Sequence, residues 1–419
     1  MKQLIAIMIA LLLPLAESAS VPALAPAPEG AVDLSAPCAI LMDRATGTVL
    51  YEKNPDQPRE PASVTKIMTL LLVMEALDRG QIGWEDQVTA SAAAAGKGGS
   101  QIFLEEGERL SLEEMLKSVV VSSANDCATA LAEHVAGSEE AFTAQMNRRA
   151  EELGMEHTHF VNCTGLDDSP EARDHLTTAR DVALMSRALL GHDEIRHYTT
   201  IWTDTVRNGA FGLSNTNKLI RFYRGATGLK TGYTSTAGHC LSASAERDGL
   251  ELIAVVLGAD SSTHRFEDAK ALLNWGFANY ALADPTEGLT LAPVPVLLGR
   301  EETVSVAISA GSEKAPSSGG GAGNPALGGG VPEAPEALPQ TTPPGPLLLE
   351  KGQAAGLSRE VELAESVEAP VTAGQAVGTL RVKAADGSLL GEYPIVAAAG
   401  VERLSFWDLL ARLAGEMVT

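Results

Sequence analysis

The chain has 419 residues, a formal charge of −23 and only 4% aromatic side chains. That length leaves room for a large core and at least two domains, which excludes a small scaffold held by disulfides. The acidity excludes a nucleic-acid binder that tracks phosphates, because such a protein displaces counterions with a basic face.

The chain opens on Met1-Lys2-Gln3, an apolar run from Leu4 to Leu15, and small residues at Ala16-Glu17-Ser18 and Ala23-Leu24-Ala25. This is the plan of a secretory signal over residues 1–25, cut after Ser18 or Ala25. The apolar run is too short to cross a bilayer comfortably. We expect an exported protein at the extracytoplasmic face of a cell envelope.

Residues 30–283 read as one domain of alternating strands and helices. Ala39–Asp43 and Thr46–Tyr51 read as strands joined by a turn at Arg44–Gly47. Pro61 and Ala62 lead into Ser63, and Ile67–Leu77 is apolar on nearly every face, as suits a helix in the middle of a domain. A second helical pattern, Leu112–Val121, runs into Ser122-Ser123-Ala124-Asn125, and a third resumes at Asp126 and continues to Val135. Gly228–Tyr233, Gly238–Ser244 and Leu250–Leu257 read as successive antiparallel strands, and Asp268–Tyr280 as a closing amphipathic helix. The expected class is α/β, an antiparallel sheet covered by helices.

Beyond Asp284 the composition changes. Pro293–Leu298, Thr303–Ile308, Gly378–Val382 and Leu389–Ile395 read as strands of a small all-β domain over residues 284–400. It is interrupted at 311–346 by a Gly/Pro-rich insertion that cannot bury enough surface to offset its ordering entropy, and is expected to be disordered. Residues 401–419 close the chain as an amphipathic helix, with Asp408, Arg412 and Glu416 on one stripe and Phe406, Leu410, Leu413 and Met417 on another. It suits either a lipid surface, with Trp407 near the headgroups, or packing on protein.

Cys38, Cys127, Cys163 and Cys240 show no metal-ligand spacing and are expected as free buried thiols, although three disulfide pairings are formally open. His157, His159, His175 and His239 match no ligand set and read as structural. No metal and no cofactor is expected.

Three short signatures carry chemistry: Ser63-Val-Thr-Lys66, Ser123-Ala-Asn125 and Lys230-Thr-Gly232. Serine at a helix start with lysine one turn later sets an amine beside a hydroxyl. An ordinary lysine, with a pKa of about 10.4, is protonated at neutral pH and useless as a base. Burial and a second cation, for which Lys230 is the candidate, lower that value so that Lys66 can take the proton of Ser63. Ser123 is placed to pass a proton to a leaving nitrogen, and the Asn125 amide to bind a substrate peptide and Lys66, although a helix cap explains both equally well in isolation. Lys230-Thr231 on a strand presents an ammonium and a hydroxyl to a carboxylate, with Gly232 leaving room for a substrate along the strand.

In this order, and within the phrases Pro61–Met68, Gly99–Gly107 and Gly228–Thr234, the signatures make the chain resemble the serine-type D-alanyl-D-alanine carboxypeptidases, the low-molecular-mass penicillin-binding proteins. The resemblance implies a β-lactamase/transpeptidase-like fold and an acyl-enzyme route. Ser63 attacks the penultimate D-alanine carbonyl of a peptidoglycan stem peptide, with Lys66 and Ser123 catalytic and Asn125, Lys230, Thr231, Gly232 and Tyr233 binding. The oxyanion hole maps onto the backbone N–H groups of Ser63 and Tyr233. β-Lactam antibiotics would acylate the same serine as inhibitors, and the terminal helix would make peripheral membrane contact. The chain departs from the family at Ala124, usually Gly, in its long Gly/Pro insertion, and in a terminal helix without a basic face. Two other readings stand beside it. One is a β-lactamase-like hydrolase, for which Asp167 or Asp168 near the cleft would supply the deacylating carboxylate. The other is a catalytically silent cell-wall-binding protein.

Overall fold

Strands with apolar residues on both faces belong in the middle of a sheet, and two strands here are buried along nearly their whole length. β1 (Cys38–Asp43) and β5 (Leu250–Ala259) pair antiparallel at the centre, with Leu41 opposite Ala254. β2 (Val49–Lys53) flanks β1, while β4 (Gly238–Arg247) and β3 (Ala226–Thr234) extend the other side. The result is a five-stranded antiparallel sheet in the order β2-β1-β5-β4-β3. The turn before β2 is set by Asp43, whose Oδ2 accepts from the Thr46 N–H at 2.8 Å and its hydroxyl at 2.6 Å, so β2 begins three residues later than its hydropathy suggests.

Helices cover both faces. α1 (Lys66–Asp78), α2 (Leu112–Ser122) and α3 (Asn125–Ala136) form the helical core, α4 (Ala179–Leu189) lies on the sheet beside them, and α5 (Ser262–Asn279) covers the opposite face. α1 is buried from Lys66 through Met74, as its all-round apolar sequence predicts, and packs against α3 and α4. Its end is closed by Gly80 at φ +66, with Gln81 N–H donating to Ala76 O at 2.9 Å. On the far face Gly276 of α5 approaches so closely that a Cβ there would lie 2.5 Å from Leu252 and 2.8 Å from Leu41. On the near face the Ser186 hydroxyl of α4 meets Ser242 of β4 at 2.8 Å.

The structure, a computed structural model, describes residues 24–28, 30–310, 342–408 and 410. Residues 23–281 form one compact unit and the described residues from 282 onward belong to another. The second unit is a small all-β domain. Ala376–Lys383 pairs antiparallel with both Leu389–Ala397 and Ser358–Leu363 around a core that includes Leu380, Val382 and Ile395. The segment before Leu24 expected to act as a signal, the insertion from 311 to 341 and most of the segment expected to form the terminal helix lie outside the described residues. All four cysteines are free and buried.

Candidate active site

The first signature sits at the head of α1. Ala62–Thr65 form a tight 3-10 turn that leads directly into the helix, and Lys66 is fully buried on its first turn. One helical turn brings the Lys66 amine back to the serine, with Nζ 3.0 Å from Ser63 Oγ. The amine also donates to the Thr164 carbonyl at 2.7 Å. Thr164 is held by its own loop: Asn162 Oδ1 accepts from the N–H groups of Thr164 at 3.1 Å and Gly165 at 2.7 Å. Gly165, at φ +77, lies against the Ala62 carbonyl, where any Cβ would collide. A glycine is therefore required for this loop to reach Lys66.

Strand alternation places Lys230 and Gly232 on one face of β3, the face turned towards Ser63. A Cβ on Gly232 would stand 2.7 Å from the Pro61 carbonyl and 3.1 Å from Ser63 N, so its bareness serves the serine turn rather than leaving room for substrate. Lys230 is buried and its amine donates to the Thr231 carbonyl at 3.0 Å. Tyr233 is 59% exposed and stacks on His239 at 4.4 Å. The Gly232 carbonyl accepts from Arg265 Nη1 at 2.9 Å. Because the peptide group is planar and trans, fixing this carbonyl also fixes the Tyr233 N–H, which points the opposite way. Arg265 and the Thr164 carbonyl are the parts of the site that sequence reasoning missed.

The second signature joins α2 to α3. Ser123 takes the left-handed conformation at φ +64, ending α2, and Asn125 begins α3. Asn125 Nδ2 donates to the Gly98 carbonyl at 2.7 Å, and its N–H to Ser100 O at 2.7 Å. Its Oδ1 is buried without a partner. Ser123 and Asn125 are both buried and form no hydrogen bond with Ser63 or Lys66, so the expected Asn125–Lys66 link is replaced by the Thr164 carbonyl. The end of α2 is tied instead to the third signature: the Thr216 N–H donates to Val121 O at 3.1 Å, and its hydroxyl accepts from Thr231 at 2.7 Å.

Electrostatics follow from burial. Removal from water pulls the Lys66 amine down to about 7, against the opposing fields of Cys163 and Asp126. Lys230 is also pushed well below its ordinary value, first by burial and then by the charges of Lys66 and Arg265. Beside them His175 accepts the Val161 N–H at Nδ1 (3.2 Å), so its proton is on Nε2 and donates to Thr65 Oγ1 at 2.8 Å. Burial, His159 and Lys66 hold this imidazole down to about 4. The unfolded chain, with an imidazole pKa of about 6.5, binds the proton first as pH falls, so this neutral histidine costs stability between about pH 6.5 and 4. The loss is on the order of 3 kcal/mol over that window. Urea unfolding at both pH extremes is expected to show a smaller acid loss in His175→Gln than in the parent chain; equal losses would remove this assignment.

Among the described residues no group of three or more His, Cys, Asp or Glu is arranged to hold a metal ion. The arrangement is that of an activated serine nucleophile: a hydroxyl, a buried amine poised near neutrality, and backbone donors fixed around them.

Comparison with known proteins agrees with this geometry. A profile for D-alanyl-D-alanine carboxypeptidase matches residues 23–261, and one for the C-terminal domain of penicillin-binding protein 5 matches residues 341–403. The chain is 37% identical to D-alanyl-D-alanine carboxypeptidase DacF of Bacillus subtilis, covering 90% of this chain and 89% of that one. It is 33% identical to DacC of Escherichia coli over 88% of this chain and 86% of that one. Penicillin-binding protein 5 of Haemophilus influenzae superposes with a TM-score of 0.66 at 27% identity, over 88% of this chain and 98% of that one. Penicillin-binding protein D2 of Listeria monocytogenes, solved in its cefotaxime-bound form, gives a TM-score of 0.54 at 33% identity over 59% of this chain and 98% of that one.

Proposed function

The chain belongs to the D-alanyl-D-alanine carboxypeptidase family, and from that premise we propose that Ser63 carries the acyl group in its reaction. The enzyme is a carboxypeptidase of the cell wall. The 3.0 Å contact between Ser63 Oγ and a buried amine poised near pKa 7 is the observation that carries the reading.

Neutral Lys66 takes the Ser63 proton as the oxygen bonds to the carbonyl carbon of the penultimate D-alanine. The charge that develops on the carbonyl oxygen is held by the N–H groups of Ser63 and Tyr233. Ser123 delivers a proton to the terminal nitrogen and is reprotonated by the Lys66 ammonium, which returns Lys66 to its neutral form; the C–N bond breaks and D-alanine leaves. Water then attacks the ester: its hydroxyl completes the shortened peptide's carboxyl group and its proton restores Ser63. Asn125 Oδ1, buried and unpartnered, suits a substrate peptide N–H. Lys230 and Thr231 receive the terminal carboxylate. Its negative charge raises the proton affinity of Lys230, and a charged Lys230 in turn presses Lys66 towards the neutral form. Substrate binding thus completes the base.

A lactamase reading needs a carboxylate that activates the deacylating water. Among the described residues no carboxylate hydrogen-bonds to Ser63 or Lys66, and Asp167 accepts from the Thr236 hydroxyl at 2.9 Å instead. Slow release of β-lactams from Ser63 is the consistent behaviour.

The proposal extends to the chain's ends. Residues 1–25 direct export, 30–283 form the catalytic domain and 284–400 the β-rich domain around the 311–346 insertion; the terminal segment touches the membrane, its helix starting at Phe406 rather than at 401 because Val401 and Arg403 form bridges with Val371 and Gly299. Exposed Phe406 and Trp407 support the last assignment, and no helix among the described residues is long and apolar enough to cross a bilayer.

Incubating the exported form with diacyl-Lys-D-Ala-D-Ala is expected to release D-alanine stoichiometrically with the shortened peptide. Lys230→Ala is expected to lose about tenfold or more on that substrate and far less on its C-terminally amidated analogue. Equal losses on both would refute the assignment of Lys230.

A further inference from the structure

Two segments outside the three signatures each hold a residue of the site. The first, residues 98–100, holds Asn125: Gly98 O accepts from Asn125 Nδ2 at 2.7 Å, and Ser100 O from the Asn125 N–H at 2.7 Å. With Nδ2 committed, Asn125 keeps its buried, unpartnered Oδ1 for a ligand. The second, residues 162–166, holds Lys66 through the Thr164 carbonyl. The two segments meet at Gly99, where a Cβ would stand 2.8 Å from Asn125 Nδ2 and 3.3 Å from Leu166 Cδ2. An ion pair joins them. Lys97 Nζ lies 2.6 Å from Glu139 Oε2, and both side chains are mostly buried. The other oxygen of that carboxylate, Oε1, accepts from the Cys163 N–H at 3.3 Å and from its thiol at 3.2 Å. The Cys163 carbonyl accepts from the Thr69 hydroxyl at 2.6 Å, so the residue before Thr164 is fixed at both ends.

Burial opposes the Glu139 carboxylate, yet Lys97 and the Cys163 donors hold its pKa below the ordinary value, so the contact is an ion pair at working pH. Glu139 also stands in the first turn of the helix Glu139–Glu152, whose N-terminus favours a negative charge. Charge-assisted bonds of this kind are stronger than neutral ones and fix the groups they join. We propose that Lys97 and Glu139 are a positioning pair that clasps residues 98–100 to residues 162–166, setting Asn125 and Lys66 in register for one substrate. Neither residue touches the reacting atoms. The inference rests on the carboxypeptidase reading and adds to it the means by which the two segments are held in place before the substrate arrives.

The test uses Lys97→Met, Glu139→Gln, the two together, and Lys97→Arg, which keeps the ion pair. On diacyl-Lys-D-Ala-D-Ala, Lys97→Met and Glu139→Gln are each expected to lose roughly ten- to a hundredfold in kcat/KM. The double variant is expected to lose no more than the worse single one, and Lys97→Arg to stay within about threefold of the parent. The pH dependence of β-lactam acylation separates positioning from a direct field. Lys66 is faced by Asp126, Cys163, His175 and Lys230, all unchanged in these variants. A carbonyl that accepts from an ammonium favours its charged form, so a Thr164 carbonyl that drifts away lowers the midpoint in both single variants. Through the field alone, loss of the Lys97 cation would raise the midpoint and loss of the Glu139 anion would lower it. Opposite shifts, an unmoved midpoint, or parent-level kcat/KM in both single variants overturns the proposal. Melting curves read the fold. Should Glu139→Gln melt below the assay temperature, Lys97→Met against Lys97→Arg decides alone: a lowered midpoint in the first and the parent's in the second is expected, and any other pair of results overturns the clasp. A parent chain that neither releases D-alanine nor takes up a β-lactam defeats the carboxypeptidase reading itself; an active parent with indifferent variants defeats only the role of the pair.

Discussion

Replacing Ser63 by alanine is expected to abolish D-alanine release and β-lactam labelling together, while leaving the folded protein intact. The hydroxyl has one hydrogen-bond partner, Lys66 Nζ, and that amine keeps its second partner, the Thr164 carbonyl, when the hydroxyl is gone. Ser63 is only half-buried, so the substitution opens no large cavity. The nucleophile, by contrast, has no substitute. A loss of about 10⁴-fold or more in turnover is the expected scale for removing it. Intact-mass measurement after incubation with a penicillin reads the labelling, and a melting curve reads the fold. A β-lactam adduct on the alanine variant would mean that another side chain is the nucleophile.

Lys66→Met is expected to have the second largest effect, and in the opposite sense for activity and stability. Methionine matches the buried aliphatic stem but cannot accept a proton, so acylation is expected to slow by about 10²- to 10⁴-fold. Stability is expected to hold or rise. The Thr164 carbonyl loses its donor at a cost of about 1 kcal/mol, whereas the expense of keeping an amine fully buried disappears. Lys66→Arg separates base from charge: a guanidinium stays protonated at every working pH and is expected to be as inactive as methionine. Stopped-flow acylation with a fluorescent penicillin, run beside thermal melts, checks both halves. A methionine variant that acylates at the parent rate would remove Lys66 from the mechanism.

The parts of the site that were legible in the sequence are those carried by a local repeat. Ser63 and Lys66 meet because one helical turn joins them, and Lys230 shares a face with Gly232 because strand side chains alternate. The central position of α1 followed from its all-round apolar sequence. What stayed hidden depends on contacts between distant segments. The Thr164 carbonyl is a backbone atom, and only the Asn162 turn and the bare Gly165 bring it to Lys66. Arg265 was missed because α5 was expected from Asp268. Ser261 caps the helix by accepting from the His264 N–H at 3.1 Å, which starts α5 at Ser262, early enough to include the arginine. In the second domain, Ser358–Leu363 escaped notice because its mostly exposed, charge-rich pattern carries no apolar face.

The central claim is that a buried, unprotonated Lys66 activates Ser63. The pH dependence of β-lactam acylation in the parent protein, followed by intact mass with the adduct mapped to its peptide, tests it most directly. The rate is predicted to rise with pH through a midpoint near 7, the value burial imposes on Lys66, with the adduct on Ser63. A rate that is flat from about pH 5 to about pH 10, or one that rises only near the ordinary lysine pKa of about 10.4, would contradict it.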